Sequence, residues 1–211
     1  MGQYDRKATE AALIKAVDDI ISEKGFKGLG VNAIARRAKV NKALIYRYFG
    51  NLDGLYEAFA GSYAIWPSLQ ELLGDLPQRL HSLPWRKVAA ELLTRYAQAL
   101  RARPRTVELL AWECVDRNAL TIAFESVRER RSNELFGALI VAGFSPNPAV
   151  RAPIAVISSS INYLAIRSRN IRIFSGVEVG ADHFWDTELP QAIEMMLAGL
   201  PDPPSNPHLI D

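Results

Sequence analysis

Cysteine is almost absent from this chain: Cys114 is the single one among 211 residues. One thiol cannot close an intramolecular disulfide or build a cysteine-based metal cluster. Histidine is nearly as scarce, and His81, His183 and His208 lie far apart, so no His-Glu-x-x-His pair and no Cys/His ligand set is present. The Gly-x-Ser-x-Gly elbow of hydrolases and the glycine-rich phosphate loop are missing too. Neighbouring carboxylates such as Asp18 and Asp19 fall on the wet side of a helical pattern. The expectation is therefore no catalytic residue, no metal and no cofactor: not an enzyme. No apolar run approaches the roughly 20 residues that span a bilayer. The opening Met1-Gly2-Gln3-Tyr4-Asp5-Arg6-Lys7 has no apolar core of a signal peptide behind its charges. These absences predict no membrane partner and a cytoplasmic location.

What is present is ordinary in amount and uneven in placement. Hydrophobic residues make up 49% and charged residues 23%, as in globular proteins. The net charge of +2 divides sharply: residues 1–49 hold ten Lys/Arg against five Asp/Glu, whereas residues 50–211 hold fifteen against eighteen. A basic head of +5 on a mildly acidic body suits a first part that meets a polyanion.

Nearly all of the chain has helical periodicity. From Lys7 to Lys24, Leu13, Ile14, Val17, Ile20 and Ile21 recur at the spacing of one buried face, and Gly25 supplies a left-handed C-cap. Two short helices are predicted over 31–38 and 41–49, and a fourth from Asp53 to about Trp66, through Leu55, Tyr56, Phe59 and Tyr63. Longer runs follow at about 69–81, 85–103, 105–116, 119–142, 153–172 and 183–199, broken by prolines and glycines. The stretch 152–166 is apolar almost all round, which predicts burial on several sides. Ile171-Arg172-Ile173-Phe174 is too short and isolated to build a sheet. The proline-rich end, 201–211, reads as a flexible tail. The fold class is all-α, with about nine or ten helices.

The informative stretch runs from Gly30 to Phe49. Ile34, Ala35, Ala38, Val40, Leu44 and Ile45 give each of its two short helices an apolar face turned toward the other, across a tight turn at Ala38-Lys39-Val40. Asn41 can cap the second helix. That pattern is a helix-turn-helix, whose second helix projects into the major groove of DNA. Its outward residues suit the task. Lys42 and Arg47 neutralise phosphates, Tyr46 and Tyr48 offer hydroxyls and ring faces, and Ala43 sits in the first turn. Asn41 and Asn32 can hydrogen-bond backbone or bases, and Arg36 with Arg37 faces the DNA backbone from the first helix, one of the two left to solvent.

Gly25-Phe26, then Ile34-Ala35-Arg36-Arg37-Ala38-Lys39-Val40, then Leu44-Ile45-Tyr46-Arg47-Tyr48-Phe49 and Leu55-Tyr56, resemble the TetR/AcrR family of repressors over roughly residues 8–60. The resemblance implies a helix-turn-helix DNA-binding domain at 1–50 and a larger helical ligand-binding and dimerisation domain at 51–200. It implies a homodimer on double-stranded DNA with a palindromic operator, released by a small-molecule effector and associated with the nucleoid when bound. Activation, or regulation without a ligand switch, is the alternative. Three positions depart from the family pattern. Lys39 stands where glycine is usual, and the turn there asks for a positive φ. Gly30 stands where Ser or Thr caps the second helix, and Leu52 replaces a lysine near the start of the fourth.

In the second part, Trp66, Trp112, Phe124 and Tyr163 are the candidate walls of a partly apolar effector site. For dimerisation the candidates are 119–142 and 153–172: Phe136, Leu139 and Ile140 make a stripe that needs covering, and Ser158, Ser159 and Ser160 allow close helix approach.

Overall fold

The computed structural model describes residues 3–62, 65–144 and 148–201, with side chains from residue 6. Tyr63, Ser145, Pro146, His208 and the tail from 202 onward lie outside the described residues. Eleven α-helices are present among those described: α1 (Gln3–Lys24), α2 (Val31–Ala38), α3 (Ala43–Phe49), α4 (Leu52–Ala60), α5 (Leu69–Leu73), α6 (Leu76–Arg79), α7 (Trp85–Arg101), α8 (Pro104–Glu113), α9 (Ala119–Val141), α10 (Arg151–Arg167) and α11 (Leu189–Ala198). The fold is all-α. The one β-feature among the described residues is an isolated antiparallel bridge between Phe174 and Val177, which closes a two-residue turn.

The chain forms two compact units: residues 1–66 with 112–130, and residues 67–111 with 131–211. In the first, α1 packs on α2 and α4, and α3 packs on α4. The buried set is the one that helical spacing picks out: Leu13, Val17, Ile20 and Ile21 from α1, Ile34 and Ala35 from α2, Ile45 from α3, and Leu55, Tyr56 and Phe59 from α4. Gly25 closes α1 at φ 63°, a region costly for any other residue, and its N–H bonds the Ile21 carbonyl at 2.9 Å. The fourth helix ends at Ala60, six residues before Trp66, because Gly61 and Ser62 break it.

In the second unit α5, α10 and α11 pack on α7. The stretch 69–81 is not one helix: Gly74 at φ 51° separates α5 from α6. Leu139 is buried with Leu73, Leu80 and Val88, and Phe136 packs against that cluster, so most of the expected α9 stripe is covered by its own unit; Ile140 stays exposed. α10 corrects the sequence reading. It is buried on one side, through Ile157, Ile161 and Ala165, while Ala152, Ala155, Val156, Ser159, Ser160 and Tyr163 are exposed. An apolar residue on every side says only that each face avoids water, not that one protomer covers them all. With its 3-10 approach, Pro148–Arg167 is 20 residues long and contains an 18-residue window of mean hydropathy 1.3, long and apolar enough to cross a bilayer by length and composition.

Candidate nucleic-acid interface

The short helix α3 carries the site, and its placement starts at the turn before it. Lys39 adopts φ 58°, ψ 38°, the left-handed conformation that the tight turn demanded. Its N–H bonds the Arg36 carbonyl at 3.2 Å, and Val40 N–H reaches back to Ala35 at 3.0 Å. Asn41 then starts α3: its Oδ1 accepts the N–H of Ala43 at 2.8 Å while its carbonyl accepts Leu44 N–H at 3.0 Å. The side-chain oxygen of Asn41 is thus committed to the helix start, on a residue that is itself exposed. Gly30 precedes α2 without any side-chain cap, in an extended conformation open to any residue.

Ile45 fixes the rotation of α3 by being fully buried. Lys42, Ala43, Tyr46 and Arg47 are exposed as a consequence, Tyr46 at 52%. Tyr48 and Phe49 are half-buried, and Asn32 and Arg36 are exposed on α2. Asn32, Arg36, Asn41, Lys42, Ala43, Tyr46 and Arg47 are thus all on the surface of the first unit, with Tyr48 at its margin.

Arg37 has a different job. Its guanidinium bonds Glu23 through Nη1 at 3.0 Å and a second contact from Nη2, and Asp19 through Nε at 3.3 Å. The Arg37 bond holds the Glu23 carboxyl below its ordinary value. Asp19 is lowered first by its bond from Lys15 and further by Arg37. Arg37 therefore ties α2 to α1, and the exposed Arg36 stays the candidate of the pair for a DNA contact. Periodicity could place Asp19 and Glu23 on the wet side of α1 but could not name a partner 14 and 18 residues away.

Two further residues escaped the sequence reading. Gly54 sits where α4 leaves α3, and a Cβ there would be driven into the carbonyl oxygen of Phe49. Asn51 caps α4 by accepting Gly54 N–H at 2.8 Å, so the α3–α4 corner is closed from both directions. Leu52, where the family pattern has lysine, is the half-buried first residue of α4. Tyr56, buried on that helix, has its hydroxyl pushed up to about 12 by burial and then by Asp53, so it stays protonated at physiological pH. Arg6 is the second: its guanidinium lies 5.3 Å from the Tyr48 ring centroid.

The candidate effector residues separate. Trp66 and Phe124 are stacked at 4.7 Å, both buried, and Trp66 Nε1 has no hydrogen-bond partner among the described residues. Trp112 stacks on Phe26, the residue that follows the Gly25 turn, at 3.3 Å. Tyr163 is exposed on α10 in the other unit, edge-on to Phe174 at 5.7 Å.

A basic two-helix corner with a capped, outward-facing second helix defines a helix-turn-helix DNA-binding domain. Residues 13–59 match the family of bacterial regulatory proteins of the tetR type. Among sequence relatives, the HTH-type transcriptional repressor Rv3405c of Mycobacterium tuberculosis is 29% identical over 144 residues, 65% of this chain and 68% of the relative. The HTH-type regulator YdeS of Bacillus subtilis is 44% identical over 50 residues, 24% of this chain and 25% of that one. The fold is shared with a TetR transcriptional regulator from Rhodococcus sp. RHA1 (TM-score 0.57, 16% identity, 93% of this chain and 100% of that one). It is shared also with a TetR-family regulator from Streptomyces coelicolor (TM-score 0.53, 22% identity, 90% and 98%). Residues 13–59 thus carry a tetR-type regulatory domain, within a chain that shares the fold of TetR-family regulators. The chain is a DNA-binding transcription regulator and not an enzyme.

Proposed function

We propose that the chain is a homodimeric repressor that holds a palindromic operator through Asn32, Arg36, Lys42, Ala43, Tyr46, Arg47 and Tyr48, and lets go when a partly apolar small molecule binds. The observation that carries the DNA half is the sidedness of α3: Ile45 fully buried, Lys42, Tyr46 and Arg47 exposed behind a capped start. A relative at 29% identity is named a repressor. The working place of such a protein is the cytoplasm, on the nucleoid when bound.

The dimer reading rests on α10. Ala152, Ala155, Val156, Ser159, Ser160 and Tyr163 recur at helical spacing on its exposed side, and all but Ala152, with Leu164 and Phe174, line a shallow hollow of about 510 Å³. Ser160 Oγ donates to the Val156 carbonyl at 3.0 Å, so its hydroxyl asks nothing of a partner. A second copy laid on this stripe and on the exposed Met195 of α11 covers apolar surface that otherwise faces water, and accounts for the high hydropathy of the helix without a membrane. Two-fold pairing presents two reading heads to successive major grooves, hence a palindrome.

The effector reading rests on Trp66. Its buried, unpartnered N–H beside the Phe124 ring offers one hydrogen bond and an apolar wall to a ligand. Such a ligand releases DNA by favouring a state in which the heads no longer match the grooves, with a coupling of about 1–3 kcal/mol. Sedimentation and an operator titration test the whole. Val156→Glu should give monomers with much weakened operator binding; a wild-type monomer that binds operator fully, or binding unmoved by every apolar ligand screened, contradicts it.

A further inference from the structure

Arg6 is a cation in the first turn of α1, where the positive end of the helix dipole makes a positive side chain unfavourable. Its i,i+4 partner Glu10, at 2.7 Å, follows it in the chain, the less favourable order for a helical ion pair. Helix stability therefore does not explain an arginine here. Its surroundings do. The guanidinium lies over the Tyr48 ring at 5.3 Å, and Arg47 reaches the same ring at 5.9 Å, so two cations flank the last polar residue of the reading helix. Arg6 remains 58% exposed in this arrangement.

We propose that Arg6 is a further phosphate-binding residue, held beside the reading helix by the Tyr48 ring and set to exchange Glu10 for a DNA phosphate. A guanidinium held over an aromatic ring by its cation–π contact keeps its N–H groups available, and their fork matches a phosphate in a two-bond geometry that a single carboxylate on a solvated surface does not outcompete. With Arg47 also within reach of the ring, the contact falls on the backbone flanking the groove that α3 enters. It adds affinity and register without base specificity. The inference rests on the DNA-binding reading of α3.

The test measures binding of the full chain to a fluorescent random-sequence duplex of about two helical turns across a salt series. Arg6→Gln should reduce the slope of log affinity against log salt by about 0.9 for each protomer bound, with an unchanged melting temperature. Arg6→Lys should keep the slope, and Glu10→Gln should tighten binding at low salt. If Lys42→Ala lowers the slope and Arg6→Gln does not, Arg6 makes no phosphate contact while the reading head stands. If Arg6→Gln lowers only the melting temperature, its role is structural and the proposal fails. If the wild-type chain shows no salt-dependent binding, the reading head and this inference fall together.

Discussion

Arg37 in the last turn of α2 grips Glu23 in the last turn of α1 with both terminal nitrogens of its guanidinium. A basic residue inside a DNA-binding motif is here a brace for the helix that supports the reading helix. Arg37→Gln should therefore lower the melting temperature of the chain and leave the salt slope of DNA binding unchanged, the reverse of Lys42→Ala. Thermal unfolding and a salt titration of both variants check this. A lowered slope for Arg37→Gln would put the side chain on the DNA.

Lys39 is one of two non-glycine residues with positive φ among the described residues, the other being Ser175. A left-handed L-residue costs about 1–2 kcal/mol, and glycine escapes that cost. Lys39→Gly should raise the melting temperature by about 2–4 °C for each kcal/mol recovered in a chain of this size. An unchanged or lower value means the turn gains something from the lysine that offsets its strain.

Gly54 has the opposite prognosis. With a Cβ directed into the Phe49 carbonyl, Gly54→Ala must push α4 away from the end of α3. The expected loss is about 1–3 kcal/mol, the usual cost of overpacking, read by denaturant unfolding. Gly30→Ser, in open space at the start of α2, should instead gain a few tenths of a kcal/mol by supplying the missing cap. Equal effects at the two glycines would contradict both assignments.

The fate of these residues shows what a sequence carries. The inward positions of α2 and α3 were legible because burial repeats with the helix: Ile34, Ala35 and Ile45 lie inside, and Tyr46 and Lys42 outside. Asn41 and Lys39 were legible because caps and tight turns are local chemistry. The Arg37 brace and the Arg6–Tyr48 contact were not, since 14, 18 and 42 residues separate the partners and no period links them. The exposure of α10 was hidden for another reason: composition reports that a face avoids water but not which chain covers it.

Asp75 gives the chain a dependence on acid. Its carboxyl accepts from Arg95 at 2.7 Å and from Arg79 at 2.8 Å, and these bonds, Arg95 first, pull it down to about 2. A carboxyl lowered in the folded state stabilises it fully above the unfolded value of about 3.9 and loses that contribution as pH falls through the folded value. The gap in melting temperature between wild type and Asp75→Asn should be widest near neutrality and close between about pH 4 and 2. A gap that stays constant would show that the loss comes from packing and not from charge.

The most direct measurement is an anisotropy titration of the chain against the intergenic DNA beside its own gene, with nonspecific competitor present. Competitor-resistant binding at about 10⁻⁸ M or tighter, weakened at least tenfold by Tyr46→Ala and by Lys42→Ala with folding intact, is the expected result. Full-strength binding by both variants, with their melting temperatures unchanged, would contradict α3 as the reading helix.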